Sequence, residues 1–204
     1  MFYRAMRIIF WLAFCVALAA AAFYGWQGNI FLLNSFVLGA LALLFLYFLQ
    51  KSAFVRKYYN DNFGDTLLGL GGLIFLTTSL GTFYFYHYIK FFEYDLIAHT
   101  VIPASFVIMG AMAYEILKIK NGAPKKIEAI LISGILVLLL SFFWELFQEQ
   151  GDIWWGTRMF FDSNQPIAVD VANDLAADTF GVFVGCVLIF KNWEGWNKKW
   201  LKNS

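Results

Sequence analysis

The sequence predicts an all-α, polytopic membrane protein: six transmembrane helices in one integral membrane domain over residues 1–204, with both termini cytoplasmic. Three observations carry this. The chain is 61% hydrophobic and 21% aromatic but only 14% charged, a balance foreign to soluble domains. Apolar stretches of about 20 residues recur, the length that crosses roughly 30 Å of hydrocarbon. Lys and Arg also sort by loop. Of the 15, all but Lys90 and Arg158 fall in the N-terminus, the 51–65 loop, the 118–126 loop or the C-terminal tail. Positive loops stay inside, so the predicted location is the bacterial cytoplasmic membrane, with multiple passes.

The first span, 7–26, follows Arg4 and Arg7 and ends in the interfacial aromatics Phe23, Tyr24 and Trp26. Met1–Arg7 before an apolar run closing in Ala19–Ala22 also has the form of a secretory signal. The length of the run and its aromatic end favour a retained helix. The second span, 30–50, has almost no polar groups and reads as scaffold. The third, 66–88, is glycine-rich, with Gly64 before it and Gly69, Gly71, Gly72 and Gly81 inside. Gly69–Gly72 lacks the spacing, lysine and strand of a phosphate loop. Close approach of helices in the bilayer explains it better.

Phe83–Tyr94 reads as an aromatic belt at the outer interface, with His87 a polar tip within it. The fourth span, 95–117, opens on Asp95 and His99 and contains Pro103. Lacking an N–H, Pro103 leaves the His99 carbonyl without its helical donor; a kink there would turn that carbonyl toward the same polar end. Glu115 and Glu128 flank a lysine loop and read as solvated interfacial acids. The fifth span, 127–148, closes in Glu145, Gln148 and Glu149. The outer loop 149–167 carries Trp154, Trp155, Phe160 and Phe161 and is a candidate lid. The sixth span, 168–190, holds Asp170, Asp174 and Asp178. The tail 192–204 interleaves Trp193, Trp196 and Trp200 with lysines, the pattern of an amphipathic segment on the inner leaflet. Cys15 and Cys186 are lone thiols inside spans, read as apolar packers.

Charge distribution points to a site. Net charge is +1, which offers nothing to nucleic acid. Glu93, Asp95, Glu145, Glu149, Asp152, Asp162, Asp170, Asp174 and Asp178 all fall on the outer half, and an acidic mouth concentrates cations. Carboxylates within spans are expensive and mark function. Asp95 and His99 are one helical turn apart, as are Glu145 and Glu149. Asp170, Asp174 and Asp178 form a stripe running about 12 Å into the bilayer. Alternating topology brings all three helix ends to the same leaflet.

So many carboxylates need protons, cationic partners or bound cations. His99, Glu145, Asp170, Asp174 and Asp178 are the candidate metal ligands. The set suits a divalent cation, Mg²⁺, Mn²⁺ or Ca²⁺, or Zn²⁺ with fewer ligands. Asp95, Glu149 and Arg158 are the candidate catalytic residues, Asp95 to orient or deprotonate and Arg158 to hold an anionic group. The alternative is helix glue, with the carboxyls hydrogen-bonded to one another and to Arg158.

Asp95-x-x-x-His99, Glu145-x-x-Gln148, Arg158 and Asp174-x-x-x-Asp178-x-x-Gly181-x-x-x-Gly185 follow an order that resembles VanZ-like membrane proteins. Length, six-span layout and the Gln150–Trp154 run are more similar to the YjdF-like uncharacterised bacterial membrane proteins. Leu96 and Asp178 depart from the VanZ-like pattern, which has Lys and Asn there, and Glu149 and Asp170 are extra acids. The VanZ-like resemblance implies an envelope role linked to glycopeptide resistance; the YjdF-like one implies membrane location alone.

Three functions fit these residues. One is a metal-dependent membrane hydrolase acting on a lipid or an anionic lipid-linked or envelope substrate. The second is a non-catalytic factor that binds an envelope ligand. The third is a proton- or cation-coupled transporter, against which the apolar inner halves of the spans count. Membrane lipids are the expected partners, and the oligomeric state is left open.

Overall fold

The computed structural model describes residues 1–80, 94–120, 122, 124–155 and 167–202, with side chains throughout except at 151–153, 155 and 167. Within these residues the protein is all helical: α1 (Phe2–Trp26), α2 (Ile30–Lys51), α3 (Ala53–Tyr58), α4 (Asp61–Leu80), α5 (Tyr94–Lys118), α6 (Lys126–Trp155) and α7 (Ile167–Trp200). All but α3 are long and apolar enough to cross a membrane, giving six candidate spans and the polytopic helical architecture read from the sequence. The aromatic belt over 83–93, with His87 and Lys90, and the loop residues 156–166 lie outside the described residues.

The chain divides into two compact units, one of residues 1–76 with 192–204 and the other of residues 77–191. In the first unit, α1 buries Met6, Phe10, Ala13, Ala17 and Ala20 on one stripe and leaves Ile8, Trp11, Leu12 and Leu18 exposed. Spacings of three and four residues place the small side chains on one face. Gly28 ends α1 with φ +72, a left-handed conformation that costs glycine little. Asn29 then caps α2, its side chain accepting from Leu32 N at 3.1 Å. Such a cap satisfies one of the helix's orphan N–H groups.

The glycines of α4 answer their sequence reading. A Cβ on Gly69 would stand 2.5 Å from Met6 Cβ, and one on Gly72 would stand 2.9 Å from Phe10 Cα. The two helices therefore meet backbone to backbone. Phe10, Ala13, Leu43 and Leu68 form the buried centre of this unit. Arg7 adds a fork of two hydrogen bonds to Asp65, Nε to Oδ1 at 2.8 Å and Nη2 to Oδ2 at 2.9 Å.

The tail has protein around it. α7 continues through the segment expected to lie on the inner leaflet, and Trp193 and Trp200 are buried. Trp200 meets Phe63 edge-on at 5.5 Å, and its carbonyl accepts from Asn60 N at 2.8 Å. The heptad-like spacing of Trp193 and Trp200 puts both on one helix face; that face is occupied by protein.

The second unit holds Thr77–Leu80, α5, α6 and α7 up to residue 191. The Tyr94 hydroxyl donates to the Thr77 carbonyl. α5 runs unbroken through Pro103. Small residues again set the approach: a Cβ on Gly110 would fall 2.8 Å from Ser133 Cβ, and one on Gly134 3.2 Å from Cys186 Sγ. Both cysteines are unpaired. Glu115 departs from expectation. It is 1% exposed, because helical phase places it on the face of α5 that carries Ala104, Ile108 and Ala111. Glu128 keeps its surface reading, 3.0 Å from Lys125 and accepting from the Tyr114 hydroxyl.

Gly72→Leu is expected to lower the melting temperature of the detergent-solubilised protein by roughly 2–10 °C, the effect of about 1–3 kcal/mol of overpacking. Gly195→Ala meets open space and should leave the melt unchanged or raise it, since alanine is the better helix former. An unchanged melt for Gly72→Leu would contradict the α1–α4 contact.

Candidate functional site

The site belongs to the second unit and follows from how α7 lies against α5. A side chain on Gly181 would strike the backbone of Thr100, and one on Gly185 would stand 2.9 Å from the Ala104 carbonyl oxygen. That contact fixes the register of the two helices. Asp178 stands three residues before Gly181 on α7, and His99 one residue before Thr100 on α5, so the two come level.

His99 is the centre. Its Nδ1 lies 3.0 Å from Asp178 Oδ1, a hydrogen bond by length. A carboxylate only accepts, so with Asp178 ionised it is Nδ1 that carries the hydrogen. Glu145 Oε1, from α6, lies 3.9 Å from the same nitrogen. The other nitrogen, Nε2, faces Asp95 Oδ1 at 3.7 Å and Asp174 Oδ2 at 3.9 Å. These longer distances are ion-pair separations. Two groups of three result, Asp95–His99–Asp174 and His99–Glu145–Asp178, each with ligand-capable atoms mutually within 4.8 Å.

The two faces of the imidazole differ in burial. Asp178 and Glu145 are 4% and 2% exposed, whereas the Asp95 side chain keeps 34% of its surface. Asp174 is buried at 6%, below Asp95. Asp95 also sits in the first turn of α5 and Asp170 in the first turn of α7, where the helix dipole favours negative charge.

Glu145 is the anomaly. Both its carboxylate oxygens are buried, and among the described residues no hydrogen bond reaches either; the same holds for Gln148 Oε1 one turn on. A buried carboxylate without a donor is strongly disfavoured. The position calls for a proton, a cation or a polar ligand.

The sequence-derived candidates therefore separate. Of the residues read as metal ligands, His99, Glu145, Asp174 and Asp178 come together around one ring, split between its two nitrogens. Asp95, read as catalytic, stands beside His99 Nε2 with Asp174. Asp170 and Glu149 are half-buried and lie outside both triads; Asp170 is still within electrostatic reach of Glu145 and Asp174. Arg158 lies outside the described residues. The two-sided arrangement about one ring was not foreseen, although a single His among i, i+4 acids on flanking helices is its sequence trace.

The chain belongs to the DUF2238 family of predicted membrane proteins, whose description matches residues 6–193. No curated protein and no solved structure matches it.

His99→Ala and Asp178→Ala remove the same hydrogen bond, so their effects on unfolding free energy are expected to couple by about 0.5–3 kcal/mol. A double-mutant cycle of denaturant unfolding in detergent measures this. Strict additivity would mean that the bond does not hold the site together.

Proposed function

We propose that this DUF2238 protein is a divalent-cation-dependent membrane hydrolase acting on a lipid or envelope substrate, with the cation on the Nε2 face of His99. The observation that carries the reading is the 3.0 Å Nδ1–Asp178 contact. Metal-binding histidines characteristically give their second ring N–H to a carboxylate, which fixes tautomer and orientation. Here that leaves the Nε2 lone pair directed at the side where Asp95 and Asp174 stand.

Charge supports the same assignment. Two carboxylates and a neutral imidazole around a divalent ion make a neutral cluster, which a low-dielectric setting tolerates far better than the bare acids. Ligand atoms around Mg²⁺, Mn²⁺ or Ca²⁺ sit about 3–3.5 Å apart, so the observed 3.7 and 3.9 Å separations need to close by less than an ångström. The oxygen-rich donor set favours these hard cations and admits Zn²⁺.

A cation in this place supplies two things: polarisation of a phosphoryl or acyl oxygen and acidification of a bound water. Glu145, on the Nδ1 side of the ring, stands away from that water and with Asp178 adds negative charge behind the imidazole. Asp178 acts as a positioning residue through His99. Asp170 and Glu149 keep the approach negative and draw cations in. Arg158 retains its sequence-based role of holding an anionic group. The VanZ-like order of the motifs is a further support for a site at this end of the spans.

Protein purified in mild detergent without chelator is expected to carry a near-stoichiometric divalent ion by elemental analysis. Asp95→Asn and Asp174→Asn should lose it. Asp178→Asn should keep it with affinity lowered about 10–100-fold, the usual effect of removing an orienting carboxylate. Hydrolysis of lipids in mixed vesicles should stop with chelator and return with Mn²⁺ or Mg²⁺. A folded Asp174→Asn protein that retains the ion would overturn the ligand assignment, and a bound ion with no turnover of any lipid would favour a binding factor.

A further inference from the structure

We propose that a cleft on the α5–α7 face seats the acyl chain of a glycerophospholipid, which presents its head group to the acidic cluster from the side. The inference rests on the hydrolase reading for its chemistry and names the substrate class. The cleft has a volume of about 440 Å³ and is lined by Leu96, Thr100, Asn173, Ala176, Ala177 and Phe180. That size falls within the range of small-molecule sites.

Its position is the main argument. Leu96, Thr100, Asn173 and Ala177 are the immediate chain neighbours of Asp95, His99, Asp174 and Asp178. The cleft therefore runs along the flank of the cluster at the same depth. Asn173, Ala176, Ala177 and Phe180 follow i, i+3, i+4, i+7 spacing, one helix face about 10 Å long. Gly181 marks its deep end, because there α7 touches the Thr100 backbone. The small side chains of Ala176 and Ala177 leave room above that contact.

The lining changes character along its length. Asn173 brings an amide to the end nearer the N-terminus of α7, while Phe180 makes the deep end apolar. The Thr100 hydroxyl is already donating to the Leu96 carbonyl at 2.8 Å, so it presents little free polarity. This gradient matches an acyl chain below and an ester or phosphate above. The cleft is also continuous with surface that faces hydrocarbon: Phe180 is 58% exposed, Phe183 62% and Val169 46%. In a membrane protein such surface is covered by lipid, and a slender chain fits a cleft of six residues where a helix does not.

The test uses the full-length protein in nanodiscs containing a phosphatidylglycerol with a photoactivatable group in its acyl chain. After illumination, labelled peptides are mapped by mass spectrometry. Labelling is expected to concentrate on 96–100 and 173–180, above that on the lipid-exposed face of α2. Ala176→Trp fills the cleft from an exposed position and should cut this labelling about tenfold, with an unchanged melt. If that variant melts lower, Ala176→Phe serves with the same readout. Even labelling of all faces, or labelling that survives the filled cleft, would overturn the proposal. Protection by a polyprenyl phosphate but not by excess phosphatidylglycerol would overturn the acyl assignment, and a cross-linked second copy of the chain over 173–180 would overturn the lipid one. Asp174→Asn should label like the parent, so failure of the cation reading leaves this result intact and is seen separately.

Discussion

The backbone contact between α5 and α7 governs the site. Gly181 lies so close to Thr100, and Gly185 to Ala104, that a single added carbon on either glycine would collide. Hydrocarbon gives helices no hydrophobic reason to associate, so close backbone packing must supply the attraction. Here it also sets register. A shift of α7 by one residue would rotate Asp174 and Asp178 by about 100° and remove both from His99. The glycines thus do for α7 what a larger apolar core does in a soluble protein, and Gly181 does it within one turn of Asp178.

Much of this was legible in the chain. Span number and helix class follow from apolar length. The convergence of Asp95, His99, Glu145, Asp174 and Asp178 follows from helical spacing and alternating direction. The glycines of the third span announced close packing, and Gly69 and Gly72 show it. Other features needed coordinates because they depend on rotation about helix axes. Glu115 sits beside a lysine-rich loop, which reads as solvated, yet its phase turns it into the core. Trp193 and Trp200 look like an interfacial anchor until both prove buried, Trp200 against Phe63. The partition of four acids between two nitrogens of one ring is likewise a matter of a few ångströms.

The polar groups are distributed according to how each unit can satisfy them. In residues 1–76 with 192–204, the buried acid Asp65 has a guanidinium fork, and tight pairing of that kind is how a carboxylate is tolerated away from water. In residues 77–191, three buried acids share one imidazole. A protein selected for stability alone has simpler solutions, since Asn, Gln or Ser would join helices at lower electrostatic cost. Glu145 is the sharpest case: buried in a carboxylate-rich place with no donor to either oxygen among the described residues. A carboxylate so placed needs a proton, a cation or a polar ligand to complete it.

What it receives is constrained by the asymmetry of the ring. On the Nδ1 side, Asp178 and Glu145 are closed off, and any group there acts from within the protein. On the Nε2 side, Asp95 is a third exposed, so under the proposed cation reading ligand exchange would take place on this face. The cleft beside Leu96 and Asn173 adjoins the same two helices at Asp95 and Asp174, the acids of the open face. A reacting group held at Nε2 and a hydrocarbon tail lying between α5 and α7 are therefore compatible with one molecule. Water must reach the same point, and Asp95 at the first turn of α5 lies toward the polar end. Under the two proposals, polar entry for water and lateral entry for lipid would meet at the open face, while the Asp178 hydrogen bond holds the imidazole from the closed one.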